Sequence, residues 1–457
     1  MSLPKYPEYR DSGVKWLGEV PAHWDTRSLK HIVSTPITDG PHETPDFKDE
    51  GIPFVSAEAV SSGIIDFGKI RGFISRAEHQ RFSLKYRPRL HDIYMVKSGA
   101  TTGITAIVES DLDFNIWSPL AAIRCDLSMA NPYYILNFLR SRNFQEAVTQ
   151  NWSFGTQQNI GMGVLGNLPV ALPPLAEQIA IVTFLDHEIC KIDALIAEQE
   201  KLTTLLAEKR QATMAHAVTR GLNPDAPLKD SGVNWLGDVP SHWRTGKIQS
   251  FARRESGHTP SRQRPEYWEN CTVPWFSLAD VWQIRDGKLN YVYETKEKVS
   301  ELGLANSSAR LLPAGTVMLS RTASVGYSAI MGCDMATTQD FINWVCGPLL
   351  NPEFLLYVLR GMRSEFDRLM MGSTHQTIYM PDIAKLAMAL PPRGEQDAIV
   401  AFLNKTVAKF AALISDAECA ITLLKERRQT LIAAAVTGQI DVRCTQRPAQ
   451  KAEAMAA

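Results

Sequence analysis

The sequence predicts an α+β protein: two mixed α/β domains separated by two long antiparallel helices, a coiled-coil-like spacer, under a pseudo-two-fold internal repeat. Three observations carry this reading. The stretch LPPLAEQIAIVTFLDHEICKIDALI, from Leu172, returns as LPPRGEQDAIVAFLNKTVAKFAALI, from Leu390, with 14 of 25 positions identical. The box DSGVKWLGEVPAHW, Asp11 to Trp24, returns as DSGVNWLGDVPSHW, Asp230 to Trp243, with 11 of 14 identical. After each box come roughly 150 residues that differ between the halves except at short islands, which keep one order.

Taken in order, residues 1–24 hold the first box, 25–171 the first variable domain, 172–222 the first long helix, and 223–243 a linker and the second box. The second variable domain is 244–389, the second long helix 390–440, and 441–457 a polar, Ala-rich tail that composition predicts to be disordered. Short β-branched and aromatic runs punctuated by Gly, Pro, Asp and Ser give each variable domain its strands. Asn-Pro at Asn131 and Asn351 then opens a helix late in each. Four islands align: Ile52 to Val60 with Val273 to Val281, Ser98 to Val108 with Ser320 to Met331, Asn131 to Ser141 with Asn351 to Gly361, and Gly155 to Ile160 with Ser373 to Ile378.

The long helices are well signalled. Pro174 and Pro392 suit the first helical position, and Glu177 and Glu395 fall in the first turn, where the helix dipole favours a carboxylate. Alternating three and four spacing puts Val182, Leu185, Ile189, Ile192 and Ile196 on one seam, matched by Val400, Leu403, Val407, Phe410 and Ile414. About 40 residues at about 1.5 Å each span about 60 Å, more than a domain is wide, so these are not ordinary intradomain helices. A compact domain cannot carry the chain back along such a length. The second helix must therefore start where the first ends and run antiparallel to it. The same symmetry sets the stretch around Lys5 beside the end of the second helix.

The chain of 457 residues has room for more than one core. Its seven cysteines include no CxxC pair and no His/Cys cluster at metal-ligand spacing, which points to a reducing compartment, the cytoplasm, and no structural metal. No uninterrupted apolar run approaches membrane-spanning length, so no membrane is expected. With 48 basic and 49 acidic residues, any attraction to nucleic acid has to be local. Between Lys69 and Arg89 lie seven basic residues and one acid, Glu78, and a smaller basic cluster comprises Arg253, Arg254, Arg262 and Arg264.

Catalytic motifs are missing. Gly161, Gly163 and Gly166 spell GxGxxG, but NLPVALPP follows where a phosphate-cradling loop would open a helix. NPYY at Asn131 lacks the second proline of the NPPY loop of amino-methyltransferases. The sequence contains no GxxxxGK[ST], GxSxG or HExxH. His375 is answered in the first half by Gln157, unlike a duplicated catalytic base.

The LPPLAEQ helix opening, the GVxWLGxVPxHW box, GHTPS at Gly257 to Ser261 and DGPHETP at Asp39 to Pro45 together resemble the specificity subunits of type I restriction-modification systems, over nearly the whole chain. The resemblance implies two target recognition domains, each reading one half of a bipartite site in double-stranded DNA. The helices would act as ruler and as platform for two modification (methyltransferase) subunits, with restriction (helicase-nuclease) subunits completing the complex. It implies no catalysis and no cofactor in this chain; S-adenosylmethionine, ATP and Mg belong to the partners. Arginine pairs with guanine, glutamine and asparagine pair with adenine, and hydroxyls meet phosphates. On that basis the DNA-binding candidates are Arg71, Arg76, Thr101, Thr102, Gln157 and Gln158 in the first domain and Ser261, Arg262, Arg321, Thr322 and Gln376 in the second. Two departures stand out: GTQQNIGMG replaces a GSTQ-type run, and VKSGATTG lacks the arginine found at Arg321. A self-contained methyltransferase would need a cofactor fold that the sequence does not offer. A purely structural coiled-coil scaffold leaves two unlike, partly basic domains without a purpose.

Overall fold

The computed structural model describes residues 4–154, 158–370 and 377–443. The expected disorder of 441–457 therefore falls almost wholly outside the described residues. The chain forms two compact units: one comprises residues up to Glu198 together with those from Ala420 on, and the other is Gln199–Cys419. Both divisions cut through a long helix, Leu175–Arg220 and Arg393–Val436. At about 1.5 Å per residue their 46 and 44 residues make about 69 and 66 Å.

In the first unit the start of one long helix and the end of the other share a core: Ile181 and Leu185 with Ile432, Ala435 and Val436. In the second unit Met214, Ala217 and Val218 share a core with Ile399, Val400 and Leu403. Each unit by itself thus holds an antiparallel helix pair, and residues equivalent in sequence serve different units. Each helix begins one residue later than the proline pattern suggests. The carbonyls of Pro174 and Pro392 accept the first helical N–H bonds, so these prolines cap the helices from outside.

The boxes fold as hairpins, Tyr9–Asp11 with Glu19–Pro21 and Leu228–Asp230 with Asp238–Pro240. Each box tryptophan then locks onto a helix start. Glu177 accepts from Trp24 Nε1 (3.0 Å) and Tyr6 Oη (2.5 Å) and meets His23 Nε2 at 2.8 Å, while Glu395 meets His242 Nε2 at 2.9 Å and accepts from Trp243 Nε1 at 3.1 Å. The first-turn carboxylates therefore tie box to helix as well as facing the dipole. The chain start lies where the repeat requires: Tyr9 Oη donates to the Gly438 carbonyl at 3.0 Å and Asp441 N to the Pro4 carbonyl at 2.8 Å.

Each variable domain is built on a mainly antiparallel sheet. In the first, Thr38–Asp39, Leu120–Ile123, Ile93–Val96 and Thr105–Ile107 lie in that spatial order; in the second, Ala252–Ser256, Phe341–Cys346, Val317–Ser320, Ser328–Met331 and Tyr291–Val292. A capped helix packs behind each. Asn131 accepts from the amides of Tyr133 and Tyr134 and Asn351 from that of Glu353, each followed by proline at the first helical position. NPYY is thus a helix start.

One sequence expectation needs correction. Gly161 does cap a helix, Met162–Asn167, but that helix is six residues long and contains Gly163 and Gly166, so no glycine loop precedes it to cradle a phosphate. Although no apolar run is uninterrupted, Arg393–Val436 is long and apolar enough by length and composition to cross a membrane: an 18-residue window has mean hydropathy 1.5 and is 17% buried. Both ends of this helix are packed into protein cores.

Candidate DNA-recognition surfaces

The backbone of the two domains fixes which residues correspond. In the first domain Lys97 N donates to the Pro119 carbonyl (2.7 Å), and Lys97 O accepts from Ile160 N (2.8 Å). In the second, Arg321 N donates to the Asp340 carbonyl (2.9 Å), and Arg321 O accepts from Ile378 N (2.9 Å). Bridges Ser98–Asn159 and Thr322–Thr377 continue the same register. The basic residue missing from VKSGATTG is therefore present as Lys97, and the register sets Ser98 against Thr322, two residues beyond the Ser320 with which the sequence islands pair it. Sequence reasoning missed it because the loop that follows differs in length; the shared isoleucine, Ile160 and Ile378, was the signal that could have placed it.

Both residues stand beside a glycine that nothing else could replace. A Cβ on Gly40 would lie 1.9 Å from the Ile116 carbonyl oxygen, and one on Gly257 2.2 Å from those of Thr337 and Thr338. The residue before each glycine differs. Asp39, fully buried, binds Lys97 Nζ at 2.9 Å and Lys85 Nζ at 2.5 Å, with His42 Nε2 at 3.2 Å. Burial pushes its pKa up, but hydrogen bonds and charge from Lys85 and Lys97 prevail and hold it below the usual carboxylate value. Ser256 occupies that place in the second domain, and Arg321 has no acid partner among the described residues; its Nε donates to the Gln339 carbonyl at 3.0 Å.

The remaining candidates divide. Arg71 lies over the Trp117 ring at 5.2 Å and is held bidentately by Glu58 at 2.9 and 2.6 Å. Arg262 stacks on Trp268 at 3.8 Å and pairs with Glu297. Arg76 is exposed, opens the helix Arg76–Ser83, and has no ion pair among the described residues. Thr101 and Thr102 are half-buried in the loop closed by Gly103 N on the Val96 carbonyl, and Thr102 Oγ1 donates to Gly99 O. Gln158 sits beside that loop, its carbonyl accepting from Gly99 N at 3.0 Å. Thr322 lies in the equivalent loop of the second domain, half-buried. Ser261, exposed, accepts from Trp268 Nε1 through its carbonyl. Gln157 and Gln376, with His375, lie outside the described residues. The structure thus gathers Thr101, Thr102 and Gln158 with Lys97, and Arg321 with Thr322; Arg71 and Arg262 stand apart on small three-stranded sheets or beside them.

The basic run Lys69 to Arg89 is less cationic than it reads. Lys69, Arg71, Arg81, Lys85 and Arg87 pair with Asp66, Glu58, Glu43, Asp39 and Asp113, all outside the run or at its edge. Arg76 and Arg89 are left. Of the seam residues, Leu185, Ile192, Ile196, Val400 and Leu403 are buried, while Val182, Ile189, Val407, Phe410 and Ile414 are half-buried.

The family model for the type I restriction modification DNA specificity domain matches twice, over residues 21–204 and 240–418. The chain belongs to this family. Its work is recognition of a DNA sequence, and the frame described above, two domains on repeated helices, is that of a specificity subunit. The putative MjaX specificity subunit of Methanocaldococcus jannaschii is 24% identical over 397 residues, covering 84% of this chain and 86% of that protein. The EcoR124I/EcoR124II specificity subunit of Escherichia coli is 22% identical over 344 residues, 71% and 76% of the two. Among solved structures, a chain of a type I R-M system aligns with TM-score 0.68 at 18% identity, covering 91% of this chain and 98% of that one. The HsdS subunit from Thermoanaerobacter tengcongensis aligns with TM-score 0.54 at 19% identity, over 92% and 98%.

Proposed function

We propose that each domain reads one half of a bipartite DNA site through the loops around Lys97 and Arg321, and that the chain itself performs no catalysis. The observation that carries this is one backbone frame presenting different chemistry twice: Lys97, Thr101, Thr102 and Gln158 in the first domain, Arg321 and Thr322 in the second. An arginine fork suits the O6 and N7 of guanine, whereas Lys97, tied to the buried Asp39, leaves the reading by the first loop to Thr101, Thr102 and Gln158. Two unlike readers give an asymmetric target.

The long helices are the platform for two modification subunits. Exposed leucines recur at repeat-equivalent positions, Leu195 with Leu413 and Leu205 with Leu423, each at least 41% exposed, which suits one apolar partner taken twice. S-adenosylmethionine, ATP and Mg would be held by partner subunits, as the family resemblance implies. The test is domain exchange. Replacing residues 25–171 by those of another family member should change one half of the methylated target and leave the other intact. Methylome sequencing that found both halves altered would overturn the two-reader reading.

A further inference from the structure

The two units share a second arrangement, away from the loop tips, that the recognition reading does not use. In the first unit Arg140, the last residue of its helix, donates to the carbonyls of Gly63 and Thr105; in the second, Arg360 donates to those of Leu289 and Ser328 and to Asn290 Oδ1. Each is joined by an arginine from a long helix, Arg428 and Arg210, which are equivalent in the EKRQ and ERRQ runs. In each unit these arginines line a cavity, of about 530 Å³ and about 180 Å³.

The surroundings of the pairs differ. The first cavity also holds Glu109 and Asp186, and Arg428 pairs with Asp193 at 3.1 Å. The second is lined by four arginines, Arg210, Arg285, Arg360 and Arg363, against one acid, Asp286. Asp286 is shared with Lys288 at 3.8 Å, and Arg363 with Asp367 at 3.3 Å. Arg210 and Arg285 have no hydrogen bond or ion pair among the described residues. Burial, with a smaller contribution from the charge of Arg210, pushes Arg360 down to about 10. Like charges brought together in a partly desolvated site cost stability unless an anion offsets them.

The site is continuous with the recognition loop. Gly326 N closes the Arg321 to Val325 loop on the Ser320 carbonyl at 3.0 Å, and Gly326, Tyr327 and Ser328 are themselves a wall of the cavity. We infer that Arg210 and Arg285, which line this cavity together with the fixed Arg360, bind backbone phosphates of DNA whose bases are read by the adjacent loop. This rests on the functional reading above and adds to it a contact that positions without specifying. Guanidinium forks match phosphate oxygens, and the first unit, where Glu109, Asp186 and Asp193 oppose the pair, would make no equivalent contact.

The test uses the full-length chain in complex with its modification subunits and the Arg210→Ala/Arg285→Ala double variant. Neither side chain makes a hydrogen bond or ion pair among the described residues, so the variant should remain folded, and the Lys/Lys variant controls for charge. Each lost phosphate contact lowers the slope of log K against log salt by about 0.9, so the double variant should be shallower by about 1.8, with its preference for target over scrambled duplex unchanged. The Lys/Lys variant should restore most of the slope. An unchanged slope and affinity would overturn the inference. So would a loss confined to particular base pairs, or triphosphate binding by the wild type that the variant loses while its DNA slope is unmoved. In each of these cases target discrimination by the wild type would persist and the functional reading would stand.

Discussion

The two recognition domains invite direct comparison at one spot, the strand end occupied by Lys97 in one and Arg321 in the other. The backbones are held alike, beside a glycine pressed onto a neighbouring strand. In the first domain the residue before that glycine is Asp39, and two lysines and His42 gather on it; in the second it is Ser256, and the arginine is bound by carbonyls alone. A cation tied to a buried carboxylate is largely committed to the fold. One tied only to carbonyls keeps its charge for a ligand. The comparison teaches that the frame fixes where a side chain stands, while one neighbouring residue decides whether it serves stability or recognition.

The sharpest way to break this comparison is to remove the two cations separately. Lys97→Ala strips one partner from a fully buried carboxylate and should destabilise the protein by about 3 kcal/mol, somewhat less where Lys85 compensates. Arg321→Ala should leave the unfolding midpoint nearly unchanged and weaken target binding by about 1–3 kcal/mol, with relaxed preference at one base pair of one half-site. Denaturant melts and competitive binding against single-substituted duplexes measure both. Equal effects of the two variants on stability would refute the assigned difference.

A second pair compares the box-to-helix locks. Glu177, 6% exposed, takes three partners, whereas Glu395, 28% exposed, takes two. Glu177→Gln should cost about 2 kcal/mol and Glu395→Gln about 1 kcal/mol or less, since an amide cannot accept from all the same donors and the more exposed site is screened by water.

Acid sharpens the comparison further. Because the folded pKa of Asp39 is depressed, its contribution is fully present above the unfolded carboxylate value of about 3.9 and is lost as pH falls below it towards the folded value. Asp39→Asn should therefore flatten the stability profile of the chain at the acid end of that window, while Ser256→Ala should leave its pH dependence alone. The smallest effect is expected at the chain ends. With Tyr9 bonded to Gly438 and Asp441 to Pro4, joining the termini and opening the largely exposed segment from Asn223 to Leu228 should leave melting temperature and DNA target nearly as they were. A permuted chain that failed to fold would show that connectivity, beyond packing, maintains the repeat.

Much of this was legible from the sequence by itself because a duplication is its own control. The boxes at Asp11 and Asp230, the helix openings at Leu172 and Leu390 and the capped helices at Asn131 and Asn351 depend on local rules of capping, dipole and periodicity, which read directly from neighbouring residues. The proximity of the chain ends followed from the same repeat. What only the tertiary structure decided depends on residues distant in sequence. The run from Lys69 to Arg89 reads as basic, yet Glu58, Glu43, Asp39 and Asp113 arrive from other elements to neutralise most of it. Lys97 was hidden by a loop of different length, and Arg210 meets Arg360 only because a long helix passes the end of a short one. Local preference sets elements within a few residues, but Coulomb interaction and desolvation act through space, so the charge that a side chain presents to DNA is settled only when the fold has chosen its neighbours.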